Sequence, residues 1–128
     1  MKRHDVESMD SNIVSDFNIF YTNCNGMYNK VRELALLAET HKFKVICIAE
    51  SHLKPNILDA ELQINNYTLF RKDRLDRDRG GSAIYVHNSL FATVIESFDA
   101  NDSLAVFLNL DCCPIIFSLH ILVTKLHH

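Results

Sequence analysis

The feature that most constrains this chain is Val45-Ile-Cys-Ile-Ala49, an apolar run that stops abruptly at Glu50-Ser-His52. A run of this kind, with no polar alternation, reads as a strand buried on both faces, as in parallel sheets. Such a strand needs cover above, below and beside it, so the rest of the chain must wrap around it. In open α/β sheets ligands bind just past the carboxyl ends of the strands. Glu50 stands at that place; the plain alternative is that it opens a solvated loop.

The residues before the run supply its first neighbour. Asp16-Phe-Asn-Ile-Phe-Tyr-Thr22 alternates polar and apolar, with Phe17, Ile19 and Tyr21 on one face, and reads as a strand. Asn23-Cys-Asn25-Gly26 is a turn signal. Asn29 can cap a helix running to about Lys42, in which Val31, Leu34, Ala35 and Ala38 form one apolar stripe. Strand, helix and strand within about 35 residues is the βαβ pattern, whose crossover makes the two strands parallel. Their exits then lie at one edge of the sheet, which brings Asn23 and Asn25 towards Glu50.

Beyond Glu50 the pattern turns to shorter pieces. A loop with Lys54-Pro-Asn56 leads to an ambiguous stretch from Ile57 to Leu62. Asn65-Asn66 is a hairpin-like turn, and Tyr67 to Arg71 a short strand. Arg71-Lys-Asp-Arg-Leu-Asp-Arg-Asp-Arg79 then places five basic and three acidic side chains in nine positions. A run like this is ordinarily a solvated loop, and its arginines could equally steer a phosphate backbone. Gly80-Gly81 permits tight re-entry into a strand at Ser82 to Val86. Further strands are expected at Phe91 to Ile95, at Leu104 to Leu110 and from Ile115 onward.

Composition excludes several classes. A chain of 128 residues that is 48% apolar is one domain at most, with material for a core. Thirteen basic against 16 acidic residues exclude a bulk polycation, so nucleic-acid contact must come from a local patch. The long apolar stretch Leu104 to Val123 is interrupted by Asn109, Asp111, Pro114 and His120, each costly in lipid, so two strands around a Cys-Pro turn fit better than a membrane helix. Met1 to Ser15 is polar and mixed in charge, with no signal-peptide core, and reads as a flexible lead-in. Four cysteines without a Cys-x-x-Cys pair, and seven scattered histidines, give no zinc spacing. Four cysteines without a signal peptide point to a reducing intracellular compartment, cytoplasm or nucleus.

Three motifs in order carry a family resemblance: Tyr21-Thr-Asn23-Cys-Asn25-Gly26, Ile48-Ala-Glu50-Ser-His-Leu53, and Arg71-Lys-Asp73-Arg74 followed by Gly80-Gly-Ser-Ala-Ile-Tyr-Val86. Together they resemble the amino-terminal half of the endonuclease/exonuclease/phosphatase superfamily, and more narrowly the apurinic-endonuclease-like domain of non-LTR retrotransposons. The likeness covers roughly residues 16–117. It implies a DNase-I-like α/β fold, two β-sheets packed face to face with helices outside, of which this chain holds an incomplete first half. It also implies hydrolysis of phosphodiesters, with DNA as partner and Mg²⁺, or Mn²⁺ in its place, as the only cofactor. By the same resemblance Glu50 is the metal ligand and Asn23 positions the scissile phosphate. Asn25 stands where relatives often carry an acidic residue near the metal, and an amide there offers an oxygen but no charge. Arg71 and Arg74 match the family's Arg-x-Asp-Arg segment, and Arg77 and Arg79 extend the same nucleic-acid contact. In the intact parent polyprotein a reverse transcriptase would be the partner domain; no membrane partner is implied.

Departures from the family are as telling. The family's later Tyr-x-x-Pro, Asp-x-Asn and Ser-Asp-His segments supply the groups that activate water and hold the phosphate. No Ser-Asp-His occurs here, and Asp99-Ala-Asn101 comes too early and between expected strands, where it is an ordinary turn. The expectation is therefore an endonuclease fragment that is inactive alone, with DNA affinity weakened or lost. A non-catalytic nucleic-acid-binding or inert remnant, or a phosphatase-branch relative, is the alternative. Residues 118–128 diverge from the family, and a reading of Leu119 to Lys125 shifted by one nucleotide permits its Tyr-x-x-Pro; a frameshift is expected there, with an unrelated natural C-terminus as the alternative. A lone half would leave one sheet's inner face bare, which favours aggregation.

Overall fold

The computed structural model describes residues 2–5, 18–75, 79–94, 103–110 and 115–122. Eight strands are present among them: β1 (Lys2–Asp5), β2 (Asn18–Asn23), β3 (Val45–Ala49), β4 (Tyr67–Lys72), β5 (Ser82–His87), β6 (Phe91–Val94), β7 (Ser103–Leu110) and β8 (Ile115–Leu122). One α-helix, α1 (Val31–His41), and two 3₁₀ turns (Tyr28–Lys30 and Asp59–Leu62) complete the described elements. The strands form a five-stranded sheet in the order β1-β2-β3-β5-β4 and a three-stranded sheet in the order β6-β7-β8.

Strand β3 is buried on both faces, as its sequence requires. Ile46 and Ile48 point into a core shared with Phe20 of β2, Leu34 and Ala38 of α1, and Tyr85 of β5. Val45, Cys47 and Ala49 point the other way, against Val106 and Leu108 of β7. Each large aliphatic side chain removed from water in this way contributes about 1.5–3 kcal/mol, so β3 adds heavily to both cores. Cys47 is one of these fillers: burial pushes its thiol up to about 12, which leaves it unreactive. The second sheet thus covers β3 and β5, and the inner face expected to be bare is not bare there.

The βαβ reading holds in its essentials. β2 and β3 are parallel, paired from Ile19↔Val45 to Asn23↔Ala49, with α1 between them in sequence. The neighbour on the other side differs from the parallel-sheet expectation, because β5 runs antiparallel to β3. The sheet is mixed, since the β4–β5 connection is a hairpin and a hairpin reverses direction. Leu34 and Ala38 of the apolar stripe are buried, with Val31 and Ala35 packed partly against them.

The start of the helix differs from expectation, and its end falls where expected. Asn29 is not its cap: it lies inside the 3₁₀ turn, where Lys30 N–H donates to the Met27 carbonyl at 2.8 Å, and Lys30 takes the N-cap position without a side-chain bond. The fully buried Met27 anchors the chain one turn earlier and tightens the entry. At the other end Lys42 is the left-handed cap (φ 55°), donating its N–H to Ala38 O at 2.8 Å.

The remaining elements refine the expected map. Lys2–Asp5 pairs antiparallel with β2, so part of the expected lead-in belongs to the sheet. The ambiguous stretch after Ile57 is a 3₁₀ turn at Asp59–Leu62. β7 and β8 pair antiparallel from Ser103↔Leu122 to Leu110↔Ile115, as the two-strand reading of that apolar stretch requires. The Cys-Pro turn between them, Asp99 to Asn101 and most of the divergent tail lie outside the described residues. Among the described residues no helix is long and apolar enough to cross a membrane.

Candidate functional site

Three loops meet at the edge where β2 and β3 end. The ladder between these strands continues past their last residues: Cys24 N–H donates to Ala49 O (3.0 Å), Gly26 N–H to Glu50 O (2.8 Å) and Met27 N–H to Ser51 O (3.0 Å). The third loop joins from the other side, Ser51 N–H donating to Gly81 O at 3.2 Å and His52 N–H to Gly80 O at 2.8 Å. The β4–β5 connector leaves and re-enters at this same edge, because Lys72 and Ala49 both pair with Ser82. Glu50 is therefore fixed by backbone on both sides.

The path of the backbone here is tight. Asn25, Glu50 and His52 have φ of 51°, 56° and 56°, and Gly26, Gly80 and Gly81 lie at 101°, 93° and 90°. The left-handed region costs a side-chain-bearing residue about 1–2 kcal/mol, so Glu50 and His52 are held there by their surroundings. Gly81 is required at its position: a Cβ there would lie 2.7 Å from Ser51 Oγ. Ser51 is itself fully buried, and its Oγ has no hydrogen-bond partner among the described residues.

Glu50 is about one-fifth exposed (21%) and its Oε1 lies 3.0 Å from His52 Nε2. Its second oxygen has no hydrogen-bond partner among the described residues. Asn23 and Asn25 are exposed at the same edge, and Asn23 Oδ1 accepts the Asn25 N–H at 3.1 Å, an Asx turn that fixes the loop. Tyr21 lies close enough to feel the carboxylate: burial raises its phenol pKa, and the Cys47 and Glu50 charges raise it further. A recess of about 430 Å³ opens beside Asn23, walled by Thr22, Lys30, Glu33 and Leu37. Glu50 does not line it.

The donor set decides what this edge can hold. No group of three or more His, Cys, Asp or Glu side chains gathers among the described residues. Among the described residues the edge offers the Glu50 carboxylate, one oxygen of which has no partner there, and amide oxygens on the adjoining loop. Hard oxygen donors in small number suit Mg²⁺, which keeps most of its waters, and do not suit zinc.

The arginines separate sharply. Arg71 donates five hydrogen bonds inside the protein: Nε and Nη2 to the Asp73 carboxylate (3.2 and 2.8 Å), Nη1 to Ile57 O (2.7 Å) and Asp59 Oδ1 (2.9 Å), and Nη2 to Lys54 O (2.9 Å). These bonds use the full donor capacity of a guanidinium. The Asp73 hydrogen bond raises its pKa against the opposing effect of burial, and Asp59 adds to the rise. Arg71 thus clasps the loop after β3 to the loop after β4, and no donor is left over for a phosphate. Arg74 is half-buried, its carbonyl accepting from Lys54 Nζ at 2.9 Å; Arg79 is exposed; Arg77 lies outside the described residues. The sequence reading missed His52 as the partner of Glu50 and Asp59 and Asp73 as partners of Arg71. The Glu-x-His spacing was the available signal for the first; nothing local signals the Asp59 contact, which spans 12 residues.

No protein-family model matches the sequence, and no curated protein does. Solved structures do. An AP endonuclease from Leishmania major superposes over 88% of this chain with a TM-score of 0.66 at 18% identity. The chain carries about half of the AP-endonuclease fold. The endonuclease domain of TRAS1, a telomere-specific non-LTR retrotransposon, agrees over 85% of the chain (TM-score 0.62, 16% identity), and an AP endonuclease from Archaeoglobus fulgidus over 78% (TM-score 0.53, 13% identity). The chain spans 46%, 47% and 39% of these three structures. The DNase-I-like half-sandwich expected from the three motifs is thus the observed AP-endonuclease fold, in part.

Proposed function

We propose that this chain is the cation-binding half of a divalent-metal-dependent endonuclease. One observation supports this above the others: the parallel β2–β3 pair sets Glu50, one of whose carboxylate oxygens has no partner among the described residues, on the same edge as Asn23 and Asn25. In this reading Glu50 holds Mg²⁺ or Mn²⁺, with the Asn25 amide oxygen as a second donor. Asn23 Nδ2 is available to a phosphate oxygen, its Oδ1 being engaged in the turn. Arg74 and Arg79, with Arg77 of the same basic run, supply the positive charge that draws in the DNA backbone. Arg71 acts through them by holding the loop. When bound, the cation stabilises negative charge on the phosphate and the departing oxygen.

The chain's own residues bind and orient but do not activate water. Its sequence has no Ser-Asp-His segment, and a missing general base alone costs at least about 10²-fold in rate. The expectation is cation binding through Glu50, salt-sensitive DNA binding, and no hydrolysis by this chain alone. Incubation with supercoiled plasmid and Mg²⁺ tests it, beside Glu50→Ala. Nicking that disappears in Glu50→Ala would show the chain to be catalytically sufficient, contrary to the proposal. DNA binding indifferent to both Glu50 and divalent cation would favour a non-catalytic binding module.

A further inference from the structure

We propose that His52 is a positioning residue for Glu50: its imidazole ties down one carboxylate oxygen and so presents the other to the cation. The proposal rests on the reading of Glu50 as the cation ligand and adds the residue that sets its affinity. A carboxylate oxygen can only accept, so at 3.0 Å the proton of this contact lies on His52 Nε2.

The surroundings of His52 are built to hold that ring in place. Its backbone N–H is bonded to Gly80 O at 2.8 Å, and its left-handed φ of 56° repeats that of Glu50 two residues earlier. Ser51 between them is fully buried, while Glu50 and His52 emerge part-exposed, at 21% and 17%, where their side chains meet. Gly26 of the first loop lies against the ring: a Cβ there would meet His52 Nδ1 at 3.4 Å, about van der Waals contact. Each of the three converging loops therefore contributes to one small object, a carboxylate held by an imidazole. A carboxylate whose rotamer is fixed beforehand loses less freedom when it binds, and removing such a hydrogen-bonding partner typically weakens metal binding about 10–100-fold.

Calorimetric titration of the full chain with MnCl₂ tests the proposal without reference to hydrolysis. His52→Leu, similar in bulk and lacking the donor, is expected to weaken Mn²⁺ binding at least about tenfold. His52→Gln keeps an N–H donor and is expected to recover most of that loss, while Glu50→Gln abolishes binding. If His52→Leu does not fold, His52→Asn gives the same comparison, because its shorter amide does not reach Oε1. Unchanged affinity in the donor-less variant, with binding lost in Glu50→Gln, overturns the role of His52 and leaves that of Glu50 intact. Equal losses in His52→Leu and His52→Gln also overturn it, since they make the imidazole itself a ligand. Unchanged binding in Glu50→Gln removes the underlying reading of Glu50, and this proposal with it.

Discussion

Replacing Arg71 with methionine removes the clasp between the loops after β3 and β4 while keeping the length and apolar stem of the side chain. The guanidinium is only 14% exposed and its chief partner Asp73 only 10%, so the substitution strands a largely buried carboxylate. Asp59, 69% exposed, contributes little. Two carbonyls, Ile57 O and Lys54 O, lose a donor as well. Breaking one side of a buried ion pair costs about 3–5 kcal/mol, a large share of the roughly 5–15 kcal/mol that holds a domain together. For a chain of this size that lowers the Tm by roughly 10–20 °C. Urea unfolding followed by circular dichroism measures the loss, and Arg71→Met combined with Asp73→Leu should be less damaging than Arg71→Met alone. DNA affinity, once corrected for the folded fraction, should keep its salt dependence. The reasoning fails if Arg71→Met leaves the urea midpoint unchanged and instead reduces the slope of log K against log [salt] by about one, as the loss of a phosphate contact does.

Gly81→Ala should destabilise by about 2 kcal/mol or more, from its left-handed backbone and the overlap with Ser51 Oγ. Ser51→Ala alone should be nearly neutral, because the lost hydroxyl has no partner among the described residues, and in that background Gly81→Ala should cost less. A double-mutant cycle on the urea midpoints reads the coupling, and additive costs would refute the contact. His87 has a pKa lowered from 6.5, chiefly by burial and further by Lys44, so the unfolded chain binds this proton more tightly. Its contribution is whole above about pH 6.5 and is lost as the pH falls through that value towards the folded pKa. His87→Asn should flatten that part of the stability–pH curve, and an unaltered slope would remove His87 as its source.

Sequence alone determined the centre of this molecule and the edge at which its candidate site lies. An unbroken apolar run has to be covered on both faces, and a βαβ unit has to put two strand exits side by side, which groups Asn23, Asn25 and Glu50 at one edge. Local pattern did not carry the direction of β5, the pairing of Lys2–Asp5 with β2, or the 3₁₀ entry that displaced Asn29 from its capping role. Only the tertiary structure decided which partners the charged groups find. A run of arginines is basic whatever surrounds it and says nothing of the hydrogen-bond partners of Arg71: Asp59, Ile57 and Lys54 lie 12 to 17 residues away and are brought to it by folding alone. His52 joined the site for a related reason: two left-handed residues flanking a buried serine bend a strand exit into a turn, and such backbone is imposed by the loops that meet there. Periodicity fixes which face a side chain is on, whereas the partner it finds depends on which distant loop arrives at that face.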